Sequence, residues 1–440
     1  MLKKIPVVIF LAAIILAAQT PQIKFTEYDL PNGLHVILHQ DNSTPIVATT
    51  ITYHVGSKNE DPKRTGFAHF FEHLMFEGSE NIKRGQIDSL IQNAGGQLNA
   101  STSFDETNYF LLLPSNQLEL ALWIESERLL HAKIDSVGVE TQRSVIKEER
   151  RQSIDNRPYG TIFEKTFATA FTKHPYRWTP IGSFQYIDQA TIEEFRDFYR
   201  TFYVPQNAVL CIAGDIDIEN SKKLVDKYFL EIPKSKKAIP RPNVVEPRRT
   251  KEVRDTVYDK VQLPAVIQAY HIPAQGTADY YAINMLTTLL STGQSSRFYK
   301  ALIDEKQSAI QVGSIPLSLE DPGLFISYAF AGAGKNAAEN EAAMDSEIKR
   351  VQTELISDDE FEKIRNMVEK NFISEKSKVL GIAQSLATYY LFYKNTGLIN
   401  TELDLFMKVT KEDIRRVAKE YLTPDNRIVL YYLPQKSKKN

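Results

Sequence analysis

Residues 66–78 read GFAHFFEHLMFEG, which predicts a helix carrying a compact group of polar side chains. On a helix, positions i and i+4 lie on one face with Cβ atoms roughly 5–6 Å apart. His69 and His73 have this spacing, so their imidazoles can hold one metal ion between them. Glu72 flanks the pair without having to be a ligand, which suits a general base beside a metal-activated water. The structural alternative is an amphipathic helix in which the two histidines are incidental.

A catalytic zinc site typically has about three protein ligands and an open position for water. The third ligand therefore has to come from another element, and a carboxylate is the natural candidate. A second predicted helix, at residues 137–154, offers Glu140, Glu148 and Glu149. These residues alone leave the choice among the three open.

Outward from the motif, strands and helices alternate twice along the chain. Strands are predicted within 24–55, 98–113 and 208–213, and helices at 66–76, 84–94, 117–131, 137–154 and 191–203. A basic, proline-bearing stretch at 234–250 is the best candidate for a linker. After it come strands near 252–272, helices near 278–304, strands near 308–331 and long helices to about 421. A last strand is predicted at 427–433. The chain is therefore predicted to contain two α+β domains of similar architecture, at 21–233 and 251–440.

Composition excludes several classes of protein. The chain has 440 residues, of which 42% are hydrophobic and 25% charged, as in ordinary globular proteins. Its 53 basic and 55 acidic residues give a net charge of −2, so charge provides no case for nucleic acid as a partner. Cys211 is the single cysteine, which excludes an intrachain disulfide and a multi-cysteine metal site.

Residues 1–20 are predicted to be a secretory signal peptide rather than part of the fold. Lys3 and Lys4 precede an uncharged run at 5–18, and Ala17 and Ala18 supply small residues for cleavage. The run is shorter than the about 20 residues that span a bilayer, and no later segment reads as transmembrane. The mature protein is expected to be exported, to a periplasm, without a stable membrane span. Secretion and an uncleaved anchor are the alternatives.

The order HxxEH at 69–73 is the inverse of the common zinc-peptidase motif. Its surroundings resemble the M16 peptidases, the pitrilysin or insulinase-like family, and most of all the short-chain branch that includes mitochondrial processing peptidase. The resemblance covers essentially the whole mature chain. It rests on LPNGL at 30–34, VGS at 55–57, GFAH at 66–69, HLMFEG at 73–78, GGQLNAST at 95–102, TNY at 107–109 and RSVIKEE at 143–149. It implies two similar domains, each a mostly antiparallel sheet packed with helices, and a Zn²⁺-dependent endopeptidase acting on peptides or unfolded segments.

The resemblance also implies individual roles. His69, His73 and Glu149 correspond to the zinc ligands, since the family's third ligand follows the second histidine by about 76 positions and 149 − 73 = 76. Glu72 corresponds to the general base. The family often has a glutamate seven positions before the third ligand, where this chain has Gln142. A neutral amide can still hydrogen-bond a ligand, but it contributes less negative charge around the metal.

Substrate contacts are implied at two places. Asn99, Ala100 and Ser101 correspond to an edge strand that pairs with extended substrate through main-chain hydrogen bonds. A turn residue is the alternative for Asn99. Phe76 corresponds to a position that contacts substrate near the zinc, and ordinary core packing is its alternative.

Active members of the family also use an arginine and a tyrosine, seven residues apart, to hold substrate. Here the arginine position is Asp304 and the tyrosine position is Ile310 or Gln311, so the pair is missing. We therefore expect a related second chain to supply it, which makes this chain the zinc-bearing subunit of a heterodimer. A homodimer that uses other residues is the alternative. The rival function is a non-catalytic structural or chaperone-like subunit, but such members have usually lost a ligand or the glutamate, and all four residues are present here.

Overall fold

The computed structural model describes residues 22–435, and the predicted signal peptide at 1–20 lies outside these described residues. The chain folds into two sheets, one from each half, with helices packed around them. None of the helices within 22–435 combines the length and apolar character that crossing a bilayer requires.

The first half of the chain forms a six-stranded sheet. Its strands are β1 (Thr26–Asp29), β2 (His35–Gln40), β3 (Ile46–Tyr53), β4 (Gln97–Thr102), β5 (Thr107–Pro114) and β6 (Ala208–Gly214). Its α-helices are α1 (Phe67–Leu74), α2 (Gln86–Asn93), α3 (Leu118–His131), α4 (Ser136–Arg150), α5 (Ile162–Ala170), α6 (Phe184–Gln189), α7 (Ile192–Phe202) and α8 (Ile218–Phe229). The strand order is β1-β2-β6-β3-β5-β4, so β4 lies at an edge. Strands β2 and β6 run parallel, and the other neighbours are antiparallel.

The second half forms a five-stranded sheet in the order β7-β11-β8-β10-β9. Its strands are β7 (Val253–Asp259), β8 (Ala265–Ile272), β9 (Ala309–Leu317), β10 (Gly323–Ala331) and β11 (Arg427–Pro434). Its α-helices are α9 (Ala278–Ser291), α10 (Ala337–Thr353), α11 (Asp358–Glu375), α12 (Val379–Tyr393), α13 (Leu398–Met407) and α14 (Lys411–Tyr421). Strands β7 and β11 run parallel, and the other neighbours are antiparallel.

The two sheets share one topology. Strands β7, β11, β8, β10 and β9 take the places of β2, β6, β3, β5 and β4, with the parallel pair at the same position in each sheet. The first sheet adds β1 at its edge. This correspondence confirms the predicted fold of two similar, mostly antiparallel α+β units. The boundaries at 234–250 stay a prediction; in this described stretch the chain forms neither helix nor strand.

Most predicted elements of the first half are confirmed, with differences at their ends. Helix α1 spans Phe67–Leu74 where the pattern predicts 66–76, and α4 ends at Arg150 and continues as a π-helical segment, Arg151–Asp155. The start of α4 is fixed by Asp135, whose side chain accepts a hydrogen bond from Gly138 N. The sequence did not identify α5, α6 and α8.

Each sheet is covered on one face by a helix from the other half of the chain. Helix α12, from the second half, packs on the first sheet, where it buries one apolar cluster that includes Ile37, Val209, Cys211, Ile382 and Leu386. In return, α5 packs on the second sheet, in a cluster that includes Phe167, Ala170, Ile267, Ile326 and Leu430. The two halves therefore share their hydrophobic cores. Burial of Cys211 in this cluster accords with its apolar neighbours in sequence.

A buried ion cluster joins the halves at a second point. Lys58 Nζ lies 2.9 Å from Asp105 Oδ1, 2.5 Å from Glu320 Oε2 and 3.1 Å from Asp321 Oδ2. The Tyr176 hydroxyl donates to Asp105 Oδ1 at 2.7 Å and accepts from Asp321 N at 3.0 Å. Lys58 and Asp105 are both buried. Because these groups come from both halves, the cluster fixes the β9–β10 connection against the first sheet.

Candidate metallopeptidase active site

Helix α1 presents its polar residues because its other face is held in an aromatic core. Phe67 and Phe70 pack against Phe195 of α7, with ring centroids 4.7 and 4.4 Å apart. Phe71 packs against Phe198 of the same helix at 5.3 Å. With this face buried, the helical repeat places the two histidines and the glutamate of the motif on the remaining side.

The structure brings His69, His73 and Glu149 together. The Nε2 atoms of His69 and His73 are 3.3 Å apart. Glu149 Oε2 lies 3.6 Å from His69 Nε2 and 3.3 Å from His73 Nε2. In the described part of the chain, these three residues are the group of histidine, cysteine or carboxylate side chains whose geometry could hold a metal ion.

Of the three carboxylates that the sequence left open on α4, Glu149 is the one that reaches the histidines. Glu148 is exposed and pairs instead with Arg151 and Gln152, at 3.2 and 2.9 Å. Glu140 is exposed and pairs with Arg143 on its own helix. Adjacent helical residues point about 100° apart, which separates Glu149 from Glu148.

The donor set fits a zinc ion. Glu149 Oε2 is buried and has no hydrogen-bond partner, although it faces two imidazole nitrogens. Burial, helped by the neighbouring His73, lowers the pKa of His69 to about 4, so its imidazole is neutral near pH 7. Two neutral imidazoles and one carboxylate form a ligand set known for catalytic zinc, with a position left for water.

His73 and Glu149 each favour the charged form of the other. Burial disfavours the charged imidazole of His73, but the close contact with Glu149 Oε2, at 3.3 Å, and its negative charge outweigh burial and raise the pKa of His73. The same contact with His73 in turn lowers the pKa of Glu149. At its other ring nitrogen, His73 Nδ1 is 3.1 Å from Gln142 Oε1, so Gln142 contacts the cluster at the expected place.

Glu72 lies beside the cluster and is held by a residue that the sequence did not single out. The hydroxyl of Thr102, the last residue of β4, donates to Glu72 Oε2 at 2.5 Å. Burial raises the pKa of the Glu72 carboxyl above its usual value. Thr102 stands within the quoted block GGQLNAST, but its contact with Glu72 depends on how β4 folds back against α1, which residue spacing does not reveal.

The residues implied in substrate binding lie on the edge strand β4, which ends at Thr102, and just after the end of α1. Asn99, Ala100 and Ser101 belong to the edge strand β4, so Asn99 is a strand residue rather than a turn residue. Asn99 and Ser101 are exposed, and Asn99 Oδ1 accepts a hydrogen bond from Ala100 N at 2.9 Å. Phe76 is half-buried under the Arg128 guanidinium, 4.7 Å from its ring centroid, which is a packing contact.

The positions of the missing arginine–tyrosine pair lie in the second half. Asp304 is exposed in a π-helical segment, Tyr299–Glu305, and Ile310 and Gln311 are exposed on the edge strand β9. The structure thus places no arginine or tyrosine side chain at these described positions.

A two-histidine, one-carboxylate cluster with a separate glutamate beside it is the arrangement of a zinc peptidase. Comparison with known proteins agrees. Residues 35–180 match the family model described as Insulinase (Peptidase family M16), and residues 189–368 match that of the Peptidase M16 inactive domain. The chain belongs to peptidase family M16.

Individual relatives match along nearly the whole chain. The zinc protease PqqE of Helicobacter pylori is 30% identical over 420 residues, which are 95% of this chain and 94% of the relative. A mitochondrial-processing peptidase subunit beta of Arabidopsis thaliana is 24% identical over 408 residues, 89% of this chain and 75% of the relative. The crystal structure of a protease from Helicobacter pylori superposes with a TM-score of 0.90 at 30% identity, covering 94% of this chain and 100% of that one. The first half of the periplasmic protease PqqL from Escherichia coli gives a TM-score of 0.75 at 20% identity, covering 95% and 94%, which supports the fold.

Proposed function

We propose that this chain is an exported zinc metalloendopeptidase that hydrolyses peptides or unfolded polypeptide segments. The observation that carries the proposal is the convergence of His69, His73 and Glu149, whose buried carboxylate oxygen faces two imidazole nitrogens and has no other partner. The names of the relatives, which include zinc proteases, support the same activity. Export, as the first twenty residues suggest, is supported by the likeness to a protease described as periplasmic.

The ligands and the base have separate roles in this mechanism. When bound by His69, His73 and Glu149, Zn²⁺ would lower the pKa of water towards 7 and polarise the scissile carbonyl. Glu72 accepts a proton from the attacking water and delivers it to the amine that leaves. Thr102 holds one carboxylate oxygen of Glu72, at 2.5 Å, which leaves the other oxygen free for proton transfer.

The edge strand β4 explains how a substrate without a defined sequence can be held next to this base. An extended peptide adds to a sheet edge through main-chain hydrogen bonds, which place few demands on side chains. Strand β4 has β5 on one side and offers its other side to such a peptide. Because Thr102 ends β4 and also contacts Glu72, a peptide on this strand would lie beside the base.

We further propose that the chain acts as one half of a two-chain clamp. The match covers 94% of the first half of PqqL but only 48% of the whole protein, so the larger relative contains a second half in one polypeptide. Asp304, Ile310 and Gln311 stand where a substrate-holding arginine and tyrosine are expected. A related subunit that supplies such a pair would complete the site, with a homodimer as the alternative.

Metal analysis and cleavage of a quenched, unstructured peptide test the proposal. Purified protein should contain one zinc per chain, and chelation should abolish cleavage. Glu149→Gln should lose the metal, with an affinity loss beyond the about 10–100-fold that outer-shell substitutions cost. Glu148→Gln, a neighbouring change at an exposed carboxylate, is the matched control and should retain zinc. A wild-type chain that binds zinc but cleaves no peptide, alone or with a partner, would favour the non-catalytic subunit.

The oligomeric state of the active protein in solution tests the two-chain proposal separately. Full peptidase activity in a solution that contains only monomers of this chain would contradict the two-chain proposal while leaving the zinc site intact.

A further inference from the structure

Behind His73, a row of polar groups leads from the ligand to an ion pair between the buried Glu77 and the exposed Arg84. Gln142 Oε1 lies 3.1 Å from His73 Nδ1, and Gln142 Nε2 lies 2.5 Å from Glu77 Oε1. The Arg84 guanidinium pairs with Glu77 and also donates to Asp135 Oδ1 at 2.9 Å. Glu77 is buried, and it stands in none of the ligand, base or substrate positions described above.

The carboxylate of Glu77 determines which way the Gln142 amide is oriented. An ionised carboxylate only accepts hydrogen bonds, so the group facing Glu77 has to be the amide NH₂. The amide oxygen then faces His73 and can only accept, so His73 Nδ1 has to be the donor. With its proton on Nδ1, the neutral imidazole carries its lone pair on Nε2, the atom that faces His69 and Glu149.

Helix α4 thereby contacts both nitrogens of one imidazole. Gln142 and Glu149 are seven residues apart on the helix, and two turns bring them to nearly the same face. Gly138, one turn before Gln142, leaves room for the ion pair: a Cβ there would lie 3.1 Å from Arg84 Nη2 and 3.4 Å from Glu77 Oε2. A larger side chain at position 138 would therefore crowd the ion pair.

We infer that Glu77 is a positioning residue for the metal site, acting through the Gln142 amide to hold His73 in the tautomer that presents Nε2 to the metal. The family often has a glutamate at the position of Gln142; here that position is a neutral amide, and the carboxylate of Glu77 lies behind it. The inference rests on the proposed zinc site. It predicts that Gln142 and Glu77 work only as a matched pair of one amide and one carboxylate.

Exchanging the two groups tests the pairing. Gln142→Glu would put two carboxylates where the NH₂ and Oε1 are now 2.5 Å apart, and their repulsion should displace the side chain from His73. Zinc affinity, measured by competition with a chelator of known affinity, should fall by about tenfold. Glu77→Leu, which removes the acceptor, should produce a loss of similar size. The double variant, Glu77→Gln with Gln142→Glu, restores one amide and one carboxylate and should recover wild-type affinity to within about threefold.

Glu80→Gln is the matched control, because it removes one carboxylate of the same loop that is exposed and lies outside the row. It should leave zinc affinity unchanged. Gln142→Glu that binds zinc as tightly as the wild type, or a double variant no better than Gln142→Glu alone, would overturn the role of Glu77. A wild-type chain that binds no zinc would instead overturn the proposed function itself, so the two failures are distinct.

Discussion

The two sheets have the same strand order, yet the helices that follow their corresponding strands differ in chemistry. Between β3 and β4, helix α1 reads FAHFFEHL and turns two imidazoles and a carboxylate away from its aromatic core. Between β8 and β9, helix α9 reads ADYYAINMLTTLLS and buries most of its length, with Asp279 as its one ionisable side chain other than tyrosine. The comparison shows that the shared topology does not determine which side chains a helix presents: among the described residues, the group that could hold a metal lies on α1 and α4 and not on α9.

The corresponding edge strands β4 and β9 also differ in the side chains that they carry. Strand β4 exposes Asn99 and Ser101 and places Thr102 on the base, whereas β9 exposes Ile310 and Gln311. A substrate strand added to β4 would lie beside the proposed base, Glu72, and one added to β9 would not.

Substitution of the proposed base, Glu72, should have the largest effect, because it leaves the first half, like the second, without a base beside its edge strand. Glu72→Gln keeps the size of the side chain and the hydrogen bond from Thr102, but it cannot accept a proton. Turnover of a quenched peptide should fall by about 10²–10⁴-fold, the usual contribution of general acid–base catalysis. Zinc content should be unchanged, because Glu72 is not a ligand in the proposed site. A variant that turns over at the wild-type rate would refute the assignment of Glu72.

Breaking the ion cluster that joins the halves should affect stability rather than chemistry. Lys58→Met leaves Asp105, Glu320 and Asp321 facing one another around an apolar side chain. Removing one partner of a buried pair typically costs about 3–5 kcal/mol, so the free energy of unfolding should fall by that amount. Denaturant titration at pH 7 measures it, with Lys63→Met at an exposed site as the control. Equal stability of the two variants would show that this cluster does not hold the halves together.

Loss of the Thr102 hydroxyl should have a smaller effect, confined to turnover. Thr102→Val preserves shape and β-branching on the edge strand, so KM should change little, while a less ordered Glu72 should lower kcat by about tenfold. This is below the about 10²-fold that a 1 Å misplacement can cost. Thr102→Ser retains a hydroxyl and should restore most of the rate. A fall in kcat of equal size in both variants would show that the hydroxyl is not what matters.

A change of pH should have the smallest effect, on the stability of the metal-free protein. The contribution of His73 to that stability should be lost as pH rises, whereas its contribution to zinc affinity should be lost as pH falls. Zinc needs neutral imidazoles, so affinity should decline as pH falls through the raised pKa of His73. In chelator-treated protein, a raised His73 pKa stabilises the fold below the unfolded value of 6.5, and this contribution disappears as pH rises through the folded pKa. The lowered pKa of Glu149 contributes above 4.5, and its contribution disappears as pH falls through the folded pKa.

The metal-free protein should therefore be most stabilised by this pair between about 4.5 and 6.5, by less than about 1 kcal/mol because Glu149 is partly exposed. Thermal unfolding of chelated protein against pH measures the effect, and His73→Gln should remove it. A stability gain between pH 7 and 8 that depends on His73 would contradict the assigned direction.

Local patterns predicted much of what the structure contains, and non-local contacts account for what they left out. The i, i+4 spacing of His69 and His73 is a property of one helix, so the sequence could place both on a single face. The choice of Glu149 over Glu148 came from the family's spacing, because adjacent residues differ only in the direction they point. The hydrogen bond from Thr102 to Glu72 joins residues 30 positions apart and depends on how a strand edge meets a helix.

The order of the strands in each sheet could not be predicted from the sequence, because it too depends on non-local contacts. Strand β6 enters between β2 and β3, and β11 enters between β7 and β8, each after a long excursion through helices. Periodicity detects that a segment is a strand, but it carries no information about which distant strand is its neighbour. The covering of each sheet by a helix of the other half is likewise a tertiary contact, formed between residues such as Ile37 and Leu386.

That mutual covering has a consequence for how the molecule comes apart. Release of α12 would expose the apolar face of the first sheet, and release of α5 would do the same for the second. Neither half can lose its order without removing part of the core of the other, so heating should give one calorimetric transition rather than two. A protease cut within 234–250 should accordingly leave two fragments that stay associated, because α12 packs on the first sheet and α5 packs on the second.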